Sequence, residues 1–375
     1  MNTFRLHFYI LLVISMVTFS CCDEDPPPAG DLLTAIEYNP IPFEIEYPTY
    51  TQLIDNREVI IPEMAIPEDN PLTVDGVELG RHLFYDNILS RDNTMSCSSC
   101  HLPEGSFTDN LAVSLGIDGL PGTRSSMSLI NVGFYDNGLF WDGRSQTLEE
   151  QALLPVEDEV ELHHSWIDII PKLQESDLYK PLFRKAFGIN KVGEINKELA
   201  AKAIAQFERS IVSFESKFDQ YLQGEVFLSD DELYGFEMYI DAPDVTDAQC
   251  AHCHNLPLMT SNDYFNNGIQ EAETFDDFLD KGLGAITLSS QNGFFRAPTL
   301  RNIELSAPYM HDGSLQTLDE VIDHYVSGGK HSPSKDPLLD DIHLNAYDKE
   351  ALKSFLLALT DHAVINEERL QNPFK

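Results

Sequence analysis

Two short cysteine motifs carry the strongest chemical signal in the sequence. They are Cys97-Ser98-Ser99-Cys100-His101 and Cys250-Ala251-His252-Cys253-His254, each of the form C-x-x-C-H. In this motif two thiols attach a haem covalently and the adjacent imidazole becomes an iron ligand. A zinc ribbon would place its cysteine pairs only about 15–20 residues apart, and a thioredoxin-like C-x-x-C needs no following histidine. The sequence therefore predicts two covalent haems, attached through Cys97, Cys100, Cys250 and Cys253, with His101 and His254 as iron ligands.

The residues after each cysteine motif repeat in the same order. L-x-N-[VI] and then D-G-x-x-Q-T-L-[DE]-E occur at 129–132 and 142–150, and again at 300–303 and 312–320. Such self-similarity indicates two copies of one structural unit. Each copy ends in T-x-x-E, a capping box that predicts helix starts at Thr147 and Thr317. Trp141 in the first copy aligns with His311 in the second.

Helical patterns surround both motifs. Apolar residues three and four apart predict one long helix over 196–222, and the cap formed by Ser229 with Glu232 starts another that runs to about 240. A short amphipathic segment at 77–85 and a closing helix at 346–359 complete the set. Because alternating strand patterns are few, we predict an all-α fold. It has two cytochrome c-like domains in tandem, at 76–225 and 226–375.

The N-terminal region predicts export. An apolar run at 8–19 is too short to span a bilayer and has the length of a signal-peptide core. Cys21 follows the small residue Ser20, as in bacterial lipoprotein signals, so Cys21 is the predicted lipid anchor and Cys22 the alternative. We therefore expect a signal peptide at 1–21 and a proline-rich tether and extended arm at 22–75, in a protein of the bacterial periplasm or cell envelope.

The charge of the chain restricts its partners. There are 24 basic and 62 acidic residues, a net charge of −38. Binding to nucleic acid is excluded because phosphate contacts need a basic surface. A field of this sign would attract a basic partner such as a small electron-transfer protein, although it could equally serve only solubility.

The order of the motifs resembles that of the bacterial di-haem cytochrome c peroxidases, a superfamily that includes the MauG-type enzymes. The resemblance covers about 75–360. It rests on the two C-x-x-C-H motifs, on F-W-D-G-R at 140–144 with Gln151 and Ala152, and on A-P-T-L-R-N at 297–302 with A-P-Y-M-H-D-G at 307–313. It implies that the first haem meets peroxide and that the second stores and relays electrons.

The resemblance also implies the catalytic residues. They are Glu161 as the proton-transferring carboxylate, Gln151 as a second polar group and Trp141 as an indole between the haems. Judged from the residues alone, Glu161 would be one of several solvated acids at 157–161.

The sixth iron ligands depart from those of many peroxidases of this family. The loop at 106–124 contains no histidine that could block the first iron, so we predict that this haem is open without reductive activation. Where such peroxidases carry a methionine on the second haem, this chain has Tyr325, as MauG-type enzymes do. The alternative ligands are Met310, Met259, His311 and His324.

The resemblance further implies one Ca²⁺ ion between the haem domains. The positions that match its ligands are Ser125, Ser306 and Pro308.

Three functions are compatible with the sequence. The leading one is a peroxidase that reduces H2O2 with electrons from a small c-type cytochrome or a similar external donor. The first alternative is a MauG-type oxidase that uses H2O2 and a bis-Fe(IV) state to oxidise residues of a partner protein. The second is a plain electron carrier, which would need neither an open haem nor Glu161. Self-association into a homodimer is left open.

Overall fold

The computed structural model describes Leu33 and residues 36–375, and over this part of the chain the fold is mostly helical. The predicted signal peptide and both candidate anchors, Cys21 and Cys22, lie outside the described residues. The helices are α1 Val74–Tyr85, α2 Leu148–Gln151, α3 Leu154–Glu157, α4 Trp166–Glu175, α5 Tyr179–Phe187, α6 Lys197–Arg209, α7 Lys217–Gln223, α8 Asp230–Tyr239, α9 Leu318–Val326, α10 Ala346–Leu357 and α11 His362–Asn366. The all-α prediction is confirmed.

The strands are short and local. They form two antiparallel pairs, β1 Leu53–Ile54 with β2 Arg57–Glu58, and β3 Tyr264–Phe265 with β4 Phe295–Arg296. The cysteines of both C-x-x-C-H motifs lie in or next to single 3-10 turns, Cys97–Ser99 and Cys250–His252. Helices and loops, rather than a sheet, therefore position the motifs.

The same helix crossing occurs in both halves of the described chain. Helix α1 packs against α6, and α8 packs against α10. At each crossing a glycine meets a backbone carbonyl: a Cβ atom on Gly80 would lie 1.9 Å from the oxygen of Ala203, and one on Gly235 would lie 2.1 Å from that of Ala351. The internal repeat thus includes a helix pair that the sequence analysis did not recognise as repeated.

Adding one methyl group at either crossing is expected to destabilise the protein. Because the clashing atoms belong to the backbone, Gly80→Ala or Gly235→Ala should lower the free energy of unfolding by roughly 1–3 kcal/mol. Gly193→Ala is the matched control, since nothing lies within 4 Å of a Cβ atom built there. Denaturant titration of the haem-loaded protein, followed by circular dichroism, measures the effect. Equal stabilities for all three variants would contradict the close packing.

The long helix predicted over 196–222 is wrong. The structure has α6 and α7 instead, separated by a non-helical segment at 210–216. The Ser213 hydroxyl donates a hydrogen bond to the Asp361 carboxylate (2.9 Å), and the Ser216 hydroxyl caps α7 by accepting from the backbone N–H of Asp219. Serine hydroxyls form hydrogen bonds that compete with those of a helix. The apolar spacing nevertheless continues across the break, because Ile211 and Phe214 are both buried.

The other predicted helix starts are correct. Thr317 and Ser229 each form a complete capping box with the glutamate three residues later. The Thr147 hydroxyl accepts from the N–H of Glu150, but the Glu150 carboxylate accepts from the N–H of Gln146 instead of from that of Thr147. The segment predicted at 77–85 is a full helix from Val74 to Tyr85, and the closing helix ends at Leu357.

The described part of the N-terminal arm and the C-terminal residues both pack against the helical body. In the arm, Phe43 packs on a hydrophobic core built from the first half of the chain, whereas Tyr50 packs on a core built from the second half. Val364 and Leu370, near the C-terminus, belong to the core of the first half. The domain boundary at 225/226 stays a prediction. No helix in the described part of the chain is long and apolar enough to cross a membrane.

Candidate active site

One cavity brings together the first C-x-x-C-H motif and all three catalytic residues predicted from the sequence. Its volume is about 470 Å³, within the range of cofactor and ligand sites. The repeat supplies two of these residues: Trp141 precedes the turn that leads to Thr147, and Gln151 ends the helix that Thr147 caps. The lining includes Cys97, Cys100, His101, Trp141, Gln151 and Glu161.

The two motif histidines are both held in the same tautomer. Nδ1 of His101 lies 2.9 Å from the carbonyl oxygen of Phe107, and Nδ1 of His254 lies 2.9 Å from that of Pro298. Because a carbonyl oxygen only accepts, Nδ1 must carry the proton, and Nε2 is left with the lone pair that a metal requires. Burial lowers the pKa of both imidazoles, to about 4 for His254, so they are neutral at physiological pH.

The four motif cysteines are thiols rather than thiolates. Burial raises the pKa of Cys100 to about 11 and those of Cys250 and Cys253 to about 12, and it raises the pKa of Cys97 further. Redox-active C-x-x-C pairs have the opposite shift. Among residues 36–375, moreover, no group of three or more Cys, His, Asp or Glu side chains is placed to share one metal ion. The residues therefore fit one covalent haem in each cavity, not a zinc ribbon or a thiol redox site.

A second cavity, of about 220 Å³, contains the second C-x-x-C-H motif. Tyr325, on α9, reaches it together with Met310. The Asn267 side-chain nitrogen lies 3.1 Å from the Met310 sulfur and 3.4 Å from the Tyr325 hydroxyl oxygen. The Met310 sulfur and the Tyr325 hydroxyl, both candidate iron ligands, therefore lie beside the same Asn267 amide group.

The remaining candidate ligands of the second haem are placed less favourably. His311 lines the cavity but stacks on Phe295, with ring centroids 3.6 Å apart. Nε2 of His324 lies 2.8 Å from the carbonyl oxygen of Asn267, and neither His324 nor Met259 lines the cavity. Burial raises the pKa of Tyr325 to about 12, so a metal ion would have to displace the phenol proton to bind there.

Trp141 lines both cavities. Its indole N–H donates to the carbonyl oxygen of Ser125 (2.9 Å), and its own carbonyl oxygen accepts from the N–H of Arg296 (3.0 Å). The N–H of Ser125 in turn donates to the carbonyl oxygen of His311 (2.8 Å). Backbone groups of both haem-binding units therefore hold Trp141, with Ser125 bonded to its indole and Arg296 bonded to its main chain.

Glu161 is half-buried and lines the first cavity, whereas Glu157 and Glu159 beside it are exposed. Burial and, to a smaller extent, the charge of Asp158 raise the pKa of its carboxyl to about 7, against the opposing effect of Arg144. Among the described residues the carboxyl makes no hydrogen bond to another side chain. An acid with a pKa near the working pH and a free carboxyl is suited to move protons.

A further buried carboxyl, which the sequence did not indicate, also lines the first cavity. Glu208, on α6, is 5% exposed, and its Oε2 atom has no hydrogen-bond partner within the described chain. Burial raises its pKa to about 8. Glu208 follows Ile204 by four residues and so shares the buried face of α6, which is the one sequence signal that could have placed it.

The chain is similar to proteins of one family along most of its length. A family model described as di-haem cytochrome c peroxidase matches residues 74–226. The methylamine utilization protein MauG of Methylorubrum extorquens is 32% identical, covering 78% of this chain and 80% of that protein. The cytochrome c551 peroxidase of Nitrosomonas europaea is 33% identical, covering 71% of this chain and 76% of that protein.

A solved structure agrees with these relatives. The crystal structure of a MauG-like protein associated with microbial copper homeostasis has a TM-score of 0.75 and 35% sequence identity, and it covers 84% of this chain and 97% of that one. Two homologous haem-binding units, their two C-x-x-C-H motifs and these similarities lead to one assignment. The chain belongs to the di-haem cytochrome c peroxidase family, which makes it a peroxidase-type oxidoreductase with two c-type haems.

Proposed function

We propose that this protein reduces hydrogen peroxide to water in the first cavity. Two electrons would arrive from an external donor, such as a small c-type cytochrome, by way of the second cavity. The observation that carries the proposal is the shared lining of the first cavity: His101 lies on it together with Gln151 and Glu161. A plain electron carrier would need no proton-transferring carboxyl at that place.

The side chains of the first cavity have separate tasks in this reaction. A haem in each cavity would supply a redox-active iron, held by His101 in the first and by His254 in the second. Ionised Glu161 takes a proton from one peroxide oxygen and delivers it to the other, which leaves as water. Gln151 donates hydrogen bonds that orient the peroxide. The remaining oxygen becomes the second water with two electrons and two protons.

Trp141 provides the connection between the cavities. Because its indole lines both of them, it shortens the distance that an electron crosses in one step. Its hydrogen bond to Ser125 and the contact of Ser125 with His311 keep this orientation fixed. Electrons from the second unit therefore have a defined route to the peroxide site.

The experiment is to add H2O2 to the fully oxidised, full-length protein with a reduced small c-type cytochrome as donor. We expect two donor molecules to be oxidised per peroxide, without prior reduction of the enzyme, since the loop at 106–124 has no histidine to occupy the first iron. Turnover only after half-reduction would contradict the open first haem. Absence of any reaction in both states would leave an electron carrier.

A MauG-type oxidation of a partner protein is the second candidate, and the position of Tyr325 in the second cavity favours it. A phenolate is a hard anionic donor that stabilises the higher oxidation states of iron. The same peroxide addition, performed without donor, separates the two functions. A near-infrared absorption band that persists for many seconds supports the second candidate, whereas its absence supports simple peroxidase turnover.

We also propose that the electron donor is basic. With a net charge of −38 the protein should bind a basic donor, and binding should weaken as salt increases.

The second cavity is lined by all three proposed Ca²⁺ ligands, Ser125, Ser306 and Pro308. The Ser125 hydroxyl donates to the carbonyl oxygen of Met310 (3.0 Å), so a Ca²⁺ ion there would depend on main-chain oxygens and water. Export and lipidation at Cys21 rest on the sequence alone.

A further inference from the structure

The glycine-rich loop at 114–122 lies directly against the segment that carries Glu161. A Cβ atom on Gly116 would lie 1.9 Å from the carbonyl oxygen of Val160. The N–H of Ile117 donates to the carbonyl oxygen of Glu161 itself (2.9 Å). Both segments line the first cavity, through Gly116 on one side and through Val160 and Glu161 on the other. The backbone of Glu161 is thus hydrogen-bonded to the loop.

Charged side chains also connect the loop to the neighbouring segments of the chain. The Asp118 carboxylate accepts a hydrogen bond from the Arg91 guanidinium, and Nδ1 of His163 lies 2.8 Å from the same carboxylate and 2.7 Å from a second guanidinium nitrogen of Arg91. The backbone N–H of Arg91 donates to the carbonyl oxygen of Leu162 (3.1 Å). Three chain segments, around Arg91, Asp118 and Glu161, therefore meet at one edge of the cavity.

The loop is closed on itself and can act as one unit. The N–H of Gly122 donates to the carbonyl oxygen of Ser114 (2.9 Å), and that of Gly119 donates to Gly116 (2.8 Å). The segment that it holds has no regular secondary structure: Glu161 lies in a turn, where its N–H donates to the carbonyl oxygen of Asp158 (3.1 Å). Further local hydrogen bonds shape this turn, among them that of the N–H of Leu162 to the carbonyl oxygen of Pro155 (3.1 Å), and the bond from Ile117 attaches the turn to the loop.

We propose that the 114–122 loop is a clamp that positions Glu161 over the first cavity, and that Arg91, Asp118 and His163 lock this clamp from outside. The residues of the clamp act through Glu161 and touch no reactant. The inference rests on the proposed role of Glu161 in peroxide reduction.

Gly116→Ala tests the clamp, and Gly193→Ala, which lies outside the loop and outside the cavity lining, is its control. The first adds a methyl group 1.9 Å from a backbone oxygen, whereas the second meets nothing within 4 Å. Because a displacement of about 1 Å near a reacting group can cost about 10²-fold in rate, we expect Gly116→Ala to slow the reaction with peroxide by roughly that factor. Gly193→Ala should react at the wild-type rate.

The pH profile distinguishes a displaced acid from general damage. If the carboxyl moves toward solvent, its pKa falls toward the ordinary range, and the pH at which the rate rises shifts down in Gly116→Ala relative to Gly193→Ala. Asp158 and Arg144 face the same carboxyl and are unchanged in both variants. Identical rates and profiles for the two variants would overturn the clamp.

A second variant covers the case in which Gly116→Ala does not fold. Asp118→Ala removes the lock at a partly exposed site. We expect the amide hydrogen of Ile117 to exchange at least tenfold faster with solvent deuterium, and the peroxide reaction to slow in parallel. Unchanged exchange would refute the lock. If wild-type and Glu161→Gln proteins react equally fast, the proposed role of Glu161 fails instead, whatever the loop variants do.

Discussion

Replacing Glu161 by glutamine is expected to slow the reaction with peroxide by roughly 10²–10⁴-fold, the usual contribution of general acid–base catalysis. The amide has nearly the same shape as the carboxyl but cannot accept the peroxide proton. Glu159→Gln is the matched control, because Glu159 lies in the same acidic segment but is exposed and does not line the cavity. Stopped-flow absorption of the haems after mixing with H2O2 measures both variants.

The pH dependence gives this prediction a second, independent measurement. Only the ionised carboxyl can take a proton, so the wild-type rate should rise as the pH increases through about 7, the raised pKa of Glu161. In Glu161→Gln this rise should be absent. Undiminished reaction of the variant at every pH would show that Glu161 does not transfer the proton.

The raised pKa of Glu161 also affects stability. An acid whose pKa is higher in the folded state stabilises the fold while it is protonated, and this contribution is lost as the pH rises from the unfolded value of 4.5 through about 7. Glu161→Gln should therefore flatten the pH dependence of unfolding in that window. The exposed Glu159→Gln should not. The two variants thus separate a buried catalytic acid from a surface acid by equilibrium as well as by rate.

The sequence predicted the parts of the site that depend on local spacing. The close spacing of C-x-x-C-H agrees with the single 3-10 turn at Cys97–Ser99, and T-x-x-E correctly predicted the helix start at Thr317. The end of the helix at Arg209 could not be predicted from the sequence, because the spacing of apolar residues continues to Phe214. The hydrogen bond that competes with the helix joins the Ser213 hydroxyl to Asp361, which is far away along the chain. Only the tertiary structure brings that partner near.

The burial of carboxyl groups is the clearest limit of sequence reasoning here. Glu161 lies in an acidic run, and its burial results from the loop around Ile117, more than forty residues earlier in the chain. Glu208 lies on an otherwise ordinary amphipathic helix, and its unpaired Oε2 atom is seen only when the cavity is formed. Resemblance to a family could supply the first residue but not the second.

The close approach of helix α1 to α6 and of α8 to α10 likewise could not be predicted from the sequence. Glycine within a helix normally lowers helix stability, so Gly80 and Gly235 alone read as weak points. Each is instead the place where a partner carbonyl comes into contact, at Ala203 and at Ala351. The repeated crossing supports the reading of the chain as two versions of one haem-binding unit.

Removing the hydroxyl group of Tyr325 is expected to have the largest effect on the second haem. If the phenolate binds that iron, Tyr325→Phe removes an anionic ligand that favours the oxidised state. The reduction potential of this haem should then rise by roughly a few hundred millivolts, since axial ligands set haem potentials over a range of about 0.8 V. Spectroelectrochemical titration of the full-length protein measures the two haems separately.

Met310→Leu is the reciprocal variant, because the Met310 sulfur lies at the same point beside Asn267. It removes the only other candidate atom that contacts the Asn267 amide while conserving side-chain volume. With Tyr325 as the ligand, Met310→Leu should leave the potential and the electron paramagnetic resonance spectrum of the second haem nearly unchanged. A large change in Met310→Leu with none in Tyr325→Phe would assign the iron to methionine instead. That result would remove the observation that favours a MauG-type reaction over simple peroxidase turnover, because a thioether stabilises the reduced rather than the oxidised iron.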